Sequence, residues 1–353
     1  MALPRPALLL VPIIALLPAC ADDGPGPSSP AGPGLPLGMS EGFSASLILE
    51  GLNNPSGVSF SDSGALTVCD SGNGSVILFV DGEPTDHITG FPTEFWKVNA
   101  EAGTKAFGLG PLSAVWLGDT LAVTNAGAKD GEETVQFYSA AGVASGAEQT
   151  NAVGSTTEES ADKGEGNLTG MCTDGDDTLY VCGQGFDGKS WLLRATRSTK
   201  ELVAFASADD AGVSVNSPMQ SMMWDDDTVL VLYSGAGGKE DGTIAAWNTE
   251  SGALEGSYTL PGVKDPMGMD RIPGTDELAV VDNNWSLTEV LPGSLVRVSL
   301  PEGDGTECSV STITSELRGP VSCAFGPDGR LYVAQLGTEF DSDKGQVIAV
   351  SGF

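Results

Sequence analysis

Gly319-Pro320-Val321-Ser322-Cys323-Ala324-Phe325-Gly326-Pro327-Asp328-Gly329-Arg330-Leu331-Tyr332-Val333-Ala334 is an apolar run, a Pro-Asp-Gly turn and a second apolar run. A Gly-rich loop follows, then a third run, Gln346 to Val350. Short apolar runs split by Asp-Gly turns are antiparallel strands joined by tight hairpins. The same order of parts stands near the other end of the chain, from Asn54-Pro55-Ser56-Gly57-Val58-Ser59-Phe60 to Leu66-Thr67-Val68-Cys69-Asp70. Four more copies lie between them. Their paired runs are Leu112 to Trp116 with Leu121 to Thr124, Leu168 to Cys172 with Leu179 to Cys182, Met219 to Trp224 with Val229 to Tyr233, and Met267 to Ile272 with Leu278 to Val281. A small all-strand unit repeated about every 50 residues is a propeller blade. The fold class is therefore all-β, a six-bladed β-propeller. No long apolar stripe of period 3.6 is present, so helices are expected to be short or absent.

The strand Ser44 to Leu49 precedes the first copy and has no blade of its own. The last copy, ending at Val347 to Val350, is one strand short. Pairing these two segments closes the ring and removes an open sheet edge, which would otherwise invite aggregation.

The first residues are an export signal. Arg5 is followed by an apolar run, Ala7 to Ala19, too short to span a bilayer easily. It ends Leu17-Pro18-Ala19-Cys20, which resembles a bacterial lipobox with Cys20 as the lipidated residue; an ordinary secretory signal is the alternative. Residues 1–19 are read as the signal, 20–42 as a Pro/Gly/Ser-rich flexible spacer, and 43–353 as the propeller. The expected location is the bacterial cell envelope, on its periplasmic or cell-surface side, with the membrane as one partner through the lipid.

The 353 residues carry 48 acidic and 16 basic side chains, a formal charge of −32. That surface repels phosphate backbones and excludes nucleic acid as a partner. It serves solubility, or it attracts cations or basic partners. Five cysteines follow Cys20, an odd number with no zinc spacing. Cys323 and Cys69 lie on blades that touch in a closed ring, so an oxidised pair there is one option. His87 is the only histidine, read as a surface residue on an outer strand, so a multi-histidine metal site is excluded.

Strands in a blade run up and down, so the tight first-to-second turns share one face and the longer second-to-third loops share the other. The turns are rich in Asp, Gly and Pro, which are turn formers first and calcium ligands only second. The long loops are where a rigid scaffold carries function. Asp282-Asn283-Asn284-Trp285 sets a carboxylate, amides and an aromatic at one strand exit. Asp70, Asn125 and Gln335 occupy equivalent exits. Together Asp70, Asn125, Asp282, Asn283, Trp285 and Gln335 are the candidate ligand-binding residues, suited to a small polar ligand, a carbohydrate or a protein partner. Trp285 is equally suited to a place between blades. Asp341-Ser342-Asp343 has the alternating oxygens of the start of a calcium loop, without the later Glu.

The repeat, with Pro327-Asp328-Gly329-Arg330-Leu331-Tyr332-Val333 at its centre, resembles the NHL and SMP-30/gluconolactonase-like group of six-bladed propellers, over residues 43–353. The resemblance implies a calcium-type ion in the central channel of the metal-dependent lactonases and esterases of that group. Their ligand positions fall on Asn54, before Pro55, and on Met267 in Pro266-Met267-Gly268-Met269, with Asp265 immediately before Pro266. Asn54, Asp265, Asp341 and Asp343 are thus the candidate metal ligands, with calcium the candidate cofactor. A glutamate and an aspartate of the family pattern are missing, so binding is expected rather than catalysis. A divergent hydrolase and a purely structural envelope protein are the alternatives. Met219, Met267 and Val321, each after its blade's Pro, make an apolar channel mouth.

Overall fold

The computed structural model describes residues 35–36, 38–99, 103–129, 132–139, 148–155, 167–184, 189–199, 201–213 and 217–353. The signal segment, Cys20 and most of the spacer lie outside the described residues. Six four-stranded antiparallel blades form a ring. Blade 1 runs Pro55–Phe60, Leu66–Asp70, Ser75–Val80 and Glu83–Thr89. Blade 2 runs Pro111–Leu117, Thr120–Asn125, Thr134–Ser139 and Glu148–Ser155. Blade 3 is Asn167–Thr173, Thr178–Gln184, Ser190–Thr196 and Glu201–Ser207. Blade 4 is Pro218–Met223, Thr228–Tyr233, Thr243–Asn248 and Leu254–Thr259. Blade 5 is Pro266–Arg271, Glu277–Asp282, Pro292–Ser299 and Ser309–Arg318. Blade 6 takes Pro320–Phe325, Leu331–Gln335 and Gly345–Ser351 from the C-terminal end and Ser44–Leu52 from the other.

The expected clasp is present. Ser44 faces Ser351, Leu47 faces Ile348 and Leu52 faces Gly345 in an antiparallel register. Each inner strand touches the inner strand of the next blade, and blade 6 returns to blade 1. Glycine makes that approach close at alternate blades. A Cβ on Gly57 would stand 2.5 Å from the Leu112 carbonyl oxygen, and one on Gly170 2.4 Å from that of Met219. Between blades the two sheet faces bury aliphatic layers. Leu230, Ile244, Leu278 and Val296 join blade 4 to blade 5, and Val281, Leu295, Val333 and Ile348 join blade 5 to blade 6. Among the described residues the only helices are two single turns, Ser71–Asn73 and Ala208–Ala211.

Four findings depart from the sequence reading. Order begins before residue 43: the Gly38 N–H donates to Glu316 Oε2 at 2.8 Å, and the Ser40 N–H to the Ile313 carbonyl at 2.8 Å. An extra hairpin, Glu94–Asn99 with Thr104–Leu109, is inserted between blades 1 and 2 as a separate two-stranded sheet. His87 sits on the outer strand of blade 1 as expected, yet it is buried with no partner at Nε2, and burial lowers its pKa. The five cysteines beyond Cys20 are free thiols; Cys69 and Cys323 belong to different apolar clusters, so they stay unpaired.

Candidate functional site

The six inner strands enclose a central channel with a cavity of about 410 Å³. Every blade contributes to its wall, because each inner strand turns one edge of its pleat to the axis. The wall is unusually rich in sulfur. Six of the chain's eight methionines line it, Met171, Met219, Met222, Met223, Met267 and Met269. Val321, expected at the mouth with Met219 and Met267, lines it too. Thioethers are flexible and polarizable, which suits a binding surface that adapts to its ligand.

The inserted hairpin covers the channel on the long-loop face. Trp96 and Phe107 of the hairpin meet Trp285 of blade 5, with ring centroids 5.0 and 5.4 Å away, and Phe107 meets Phe340 of blade 6 at 5.5 Å. The lid thus reaches across the mouth from blades 1 and 2 to blades 5 and 6. The Trp285 indole N–H points to Met267 Sδ at 3.2 Å. Below the lid, Asn54 holds a left-handed backbone (φ 49°) and accepts the Gly108 N–H of the hairpin at 3.2 Å.

The strand-exit residues are equivalent, as the repeat implied. Asp70 pairs with Pro55, Asn125 with Pro111, Asp282 with Pro266 and Gln335 with Pro320. All four side chains are buried, and none lines the cavity. Three of them hold the chain that leads into their own blade. Asp70 Oδ1 accepts the Asn53 N–H at 2.7 Å, Asp282 Oδ1 the Asp265 N–H at 2.9 Å, and Gln335 Oε1 the Arg318 N–H at 2.6 Å. Asn283 Nδ2 donates to the Pro320 carbonyl of the next blade at 3.0 Å. Asn125 Oδ1 is buried without a partner. Burial pushes the Asp70 carboxyl up to about 6 against the pull of its hydrogen bonds from Asn73 and Asn53. Of the six candidate ligand residues, Trp285 alone borders the cavity.

The candidate metal ligands do not come together. Asp265 is completely buried, and its carboxylate accepts the Gly238 N–H at 2.8 Å and the Trp285 N–H at 2.7 Å. It braces the loops that carry the lid's partner, and burial raises its pKa. Asn54 borders the cavity, but its amide oxygen is taken by Gly108 and its Nδ2 donates to Asn53 Oδ1 at 2.8 Å. Asp341 and Asp343 are exposed on the blade 6 loop. Among the described residues no group of three or more His, Cys, Asp or Glu converges. A calcium ion asks for six to eight oxygens, so these residues do not fit it. The turn acids act as turn formers: Asp174 Oδ1 alone accepts the N–H groups of Asp176, Asp177 and Thr178 at 3.0 to 3.1 Å.

Several cavity residues escaped the sequence reading. Asn167 begins the inner strand of blade 3, where every other blade has Pro, and its Oδ1 is buried and unpartnered. The missing Pro was the available signal. Ser59 Oγ is likewise buried and unpartnered on the wall. Asp270 interrupts the apolar inner strand of blade 5 and borders the cavity.

No family profile matches the sequence, and no curated protein does. Solved structures match the fold over nearly the whole chain. The holo pyranose dehydrogenase PQQ domain of Coprinopsis cinerea aligns at 10% identity and TM-score 0.57, covering 90% of this chain and 98% of that one. A protein assigned as a gluconolactonase aligns at 13% identity and TM-score 0.54, covering 90% and 94%. A carbohydrate-active enzyme of Trichoderma reesei in its calcium form aligns at 11% and 0.54, covering 91% and 98%. The chain shares the six-bladed propeller of these proteins, and the resemblance seen in the repeat holds at the level of fold. Pyrroloquinoline quinone is a tricarboxylate. Among the described residues no Lys, Arg or His lines this cavity and one carboxylate does, so they do not fit that cofactor either.

Proposed function

We propose that this is an envelope-anchored binding protein that takes a small, largely apolar ligand into its central channel beneath the hairpin lid. The observation that carries the reading is the channel cavity of about 410 Å³, walled by six methionines and the rings of Trp96, Phe107 and Trp285, with polar side chains set among them. Apolar pockets with a few placed polar atoms are the usual form of small-molecule sites. The unpartnered Asn167 Oδ1 and Ser59 Oγ are such atoms, since a buried polar group without a partner costs about 1–3 kcal/mol that a ligand recovers. This shifts the expected site from the strand exits to the channel they surround.

Trp96 and Trp285 border the cavity, so binding reports itself. Titration with a neutral amphiphile such as 1-hexanol is expected to give a saturable change in tryptophan fluorescence, lost when Val321→Trp fills the channel. A linear, unsaturable response removes the binding reading. The hydrolase reading predicts the reverse: lactone or ester turnover that depends on added calcium, zinc or manganese and is abolished by Asn54→Ala. The side chains at the expected ligand positions already serve the backbone, so background rates are expected.

The anchor belongs to the same proposal. Cys20 follows Leu17-Pro18-Ala19, and a long Pro/Gly/Ser stretch separates it from the ring. Fatty-acid labelling in a bacterial host is expected to mark the wild type and not Cys20→Ser, which leaves the membrane fraction. An unlabelled wild type removes the anchor and leaves the channel proposal standing.

A further inference from the structure

We infer that the channel's ligand is an organic cation, an apolar body with an ammonium head, and that Asp270 holds the head. This rests on the channel being a binding site. Among the described residues bordering the cavity, Asp270 is the only Asp, Glu, Lys, Arg or His. Its carboxylate is held in place by two backbone groups: Oδ2 accepts the Phe325 N–H of blade 6 at 2.7 Å, and Oδ1 accepts the Arg271 N–H at 2.8 Å. Each oxygen keeps a lone pair. The one neighbouring cation is turned away. The Arg271 guanidinium stacks on Trp224, with its carbon 4.3 Å from the ring centroid. It donates from Nε to the Thr275 carbonyl at 2.8 Å and from Nη1 to the Trp224 carbonyl at 3.0 Å, and it pairs with Asp276. Among the described residues the channel therefore carries a negative charge with no counter-ion bordering it.

Depth in the channel supports the assignment. Asp270 and Ser59 are each the fifth residue of a Pro-led inner strand, in blades 5 and 1 on either side of blade 6. The unpartnered Ser59 Oγ thus lies at the same level as the carboxylate. An ammonium offers three N–H donors, and the two Asp270 oxygens offer it charged acceptors. Towards the mouth the wall becomes Met267, Met219 and Val321, then the rings of Trp96 and Trp285. That gradient fits an apolar body behind a cationic head, and aromatic faces attract a cation as it passes. A channel carboxylate repels anions, and the −32 charge of the chain draws cations towards it. Burial already pushes the Asp270 carboxyl up to about 6. The other titratable groups on the wall are the Cys172 and Cys323 thiols of blades 3 and 6. Burial raises both, so they stay neutral through this range.

The test compares hexylammonium with 1-hexanol, which has nearly the same shape and no charge, by calorimetry and tryptophan fluorescence. At about pH 8 the carboxyl is ionised and the amine protonated. A charge-assisted hydrogen bond of about 1.5–3 kcal/mol corresponds to a preference of roughly 10- to 100-fold for the ammonium. Lowering the pH through about 6 is expected to remove most of that preference, because Asp270 becomes neutral while hexanol binding does not change. Asp270→Asn is expected to abolish the preference at every pH and keep hexanol affinity. If that variant does not fold, the pH series on the wild type decides the matter alone. Equal affinities, or a preference indifferent to pH and to Asp270→Asn, overturn the proposal. Hexanol binding without hexylammonium binding overturns the cation and leaves the channel site; binding of neither overturns both.

Discussion

Phe107 keeps a left-handed backbone, φ 57°, in the second strand of the lid. A bulky residue gains nothing from that conformation, which costs non-glycine residues about 1–2 kcal/mol. The ring contacts with Trp96, Trp285 and Phe340 are what hold it there. Removing the ring separates the two effects. Phe107→Ala loses the contacts and keeps the strain. Phe107→Gly loses the contacts and relieves the strain, against a glycine entropy cost of about 0.5–1 kcal/mol. The Gly variant is therefore expected to be the more stable of the two by about 0.5–1 kcal/mol, the reverse of the usual order in strands. Urea unfolding midpoints check it. An Ala variant as stable as the Gly variant means the lid relaxes and stores no strain. At this scale the sequence was least informative. Asp70, Asp282 and Gln335 were placed correctly in the repeat, but which way each side chain turns depends on backbone N–H groups that have no sequence mark. Burial of those groups demands partners, and the strand-exit acids and amide supply them before any ligand does.

At the scale of the element, the inner strand and its hairpin partner were readable in all six blades, Pro-led in all but blade 3, because a strand buried on both faces leaves a dense apolar run and its turn leaves Asp, Gly or Pro. The outer strands were less readable. They are half exposed, as in Leu254–Thr259, and their pattern dilutes into that of loops. The lid hairpin was invisible for another reason. Glu94–Asn99 and Thr104–Leu109 lie outside the repeat, so no second copy announces them. Yet that insertion lays Trp96 and Phe107 against Trp285 at the mouth of the channel. The apolar mouth was legible from Met219, Met267 and Val321, each one residue past a Pro. The deeper wall was not, because Asp270 and Ser59 matter only once six strands face one axis.

At the scale of the molecule, the ring must close against its own charge, 48 acidic side chains against 16 basic ones. Five blades are each made from one continuous stretch; blade 6 is made from both ends. Its outer strand, Ser44–Leu52, covers the edge of Gly345–Ser351, whose Val347 and Val350 are fully buried. An aromatic cluster finishes the seam: Phe353 meets Phe43 with centroids 5.2 Å apart and Phe325 at 4.9 Å. A chain that begins at Gly51 loses the paired strand, Phe43 and the ties from Gly38 and Ser40 to blade 5. Net ladder bonds of about 1 kcal/mol each put the loss above about 3 kcal/mol, a fall in Tm of about 5 °C or more for a domain of this size. The exposed edge also makes aggregation expected. Adding a peptide of residues 38–50 in excess is expected to restore part of the lost Tm by mass action, in proportion to the logarithm of its concentration. A shortened chain that melts within a few degrees of the full one, and does not respond to the peptide, means that the ring is held by contacts between blades alone and that the clasp adds only an extra strand.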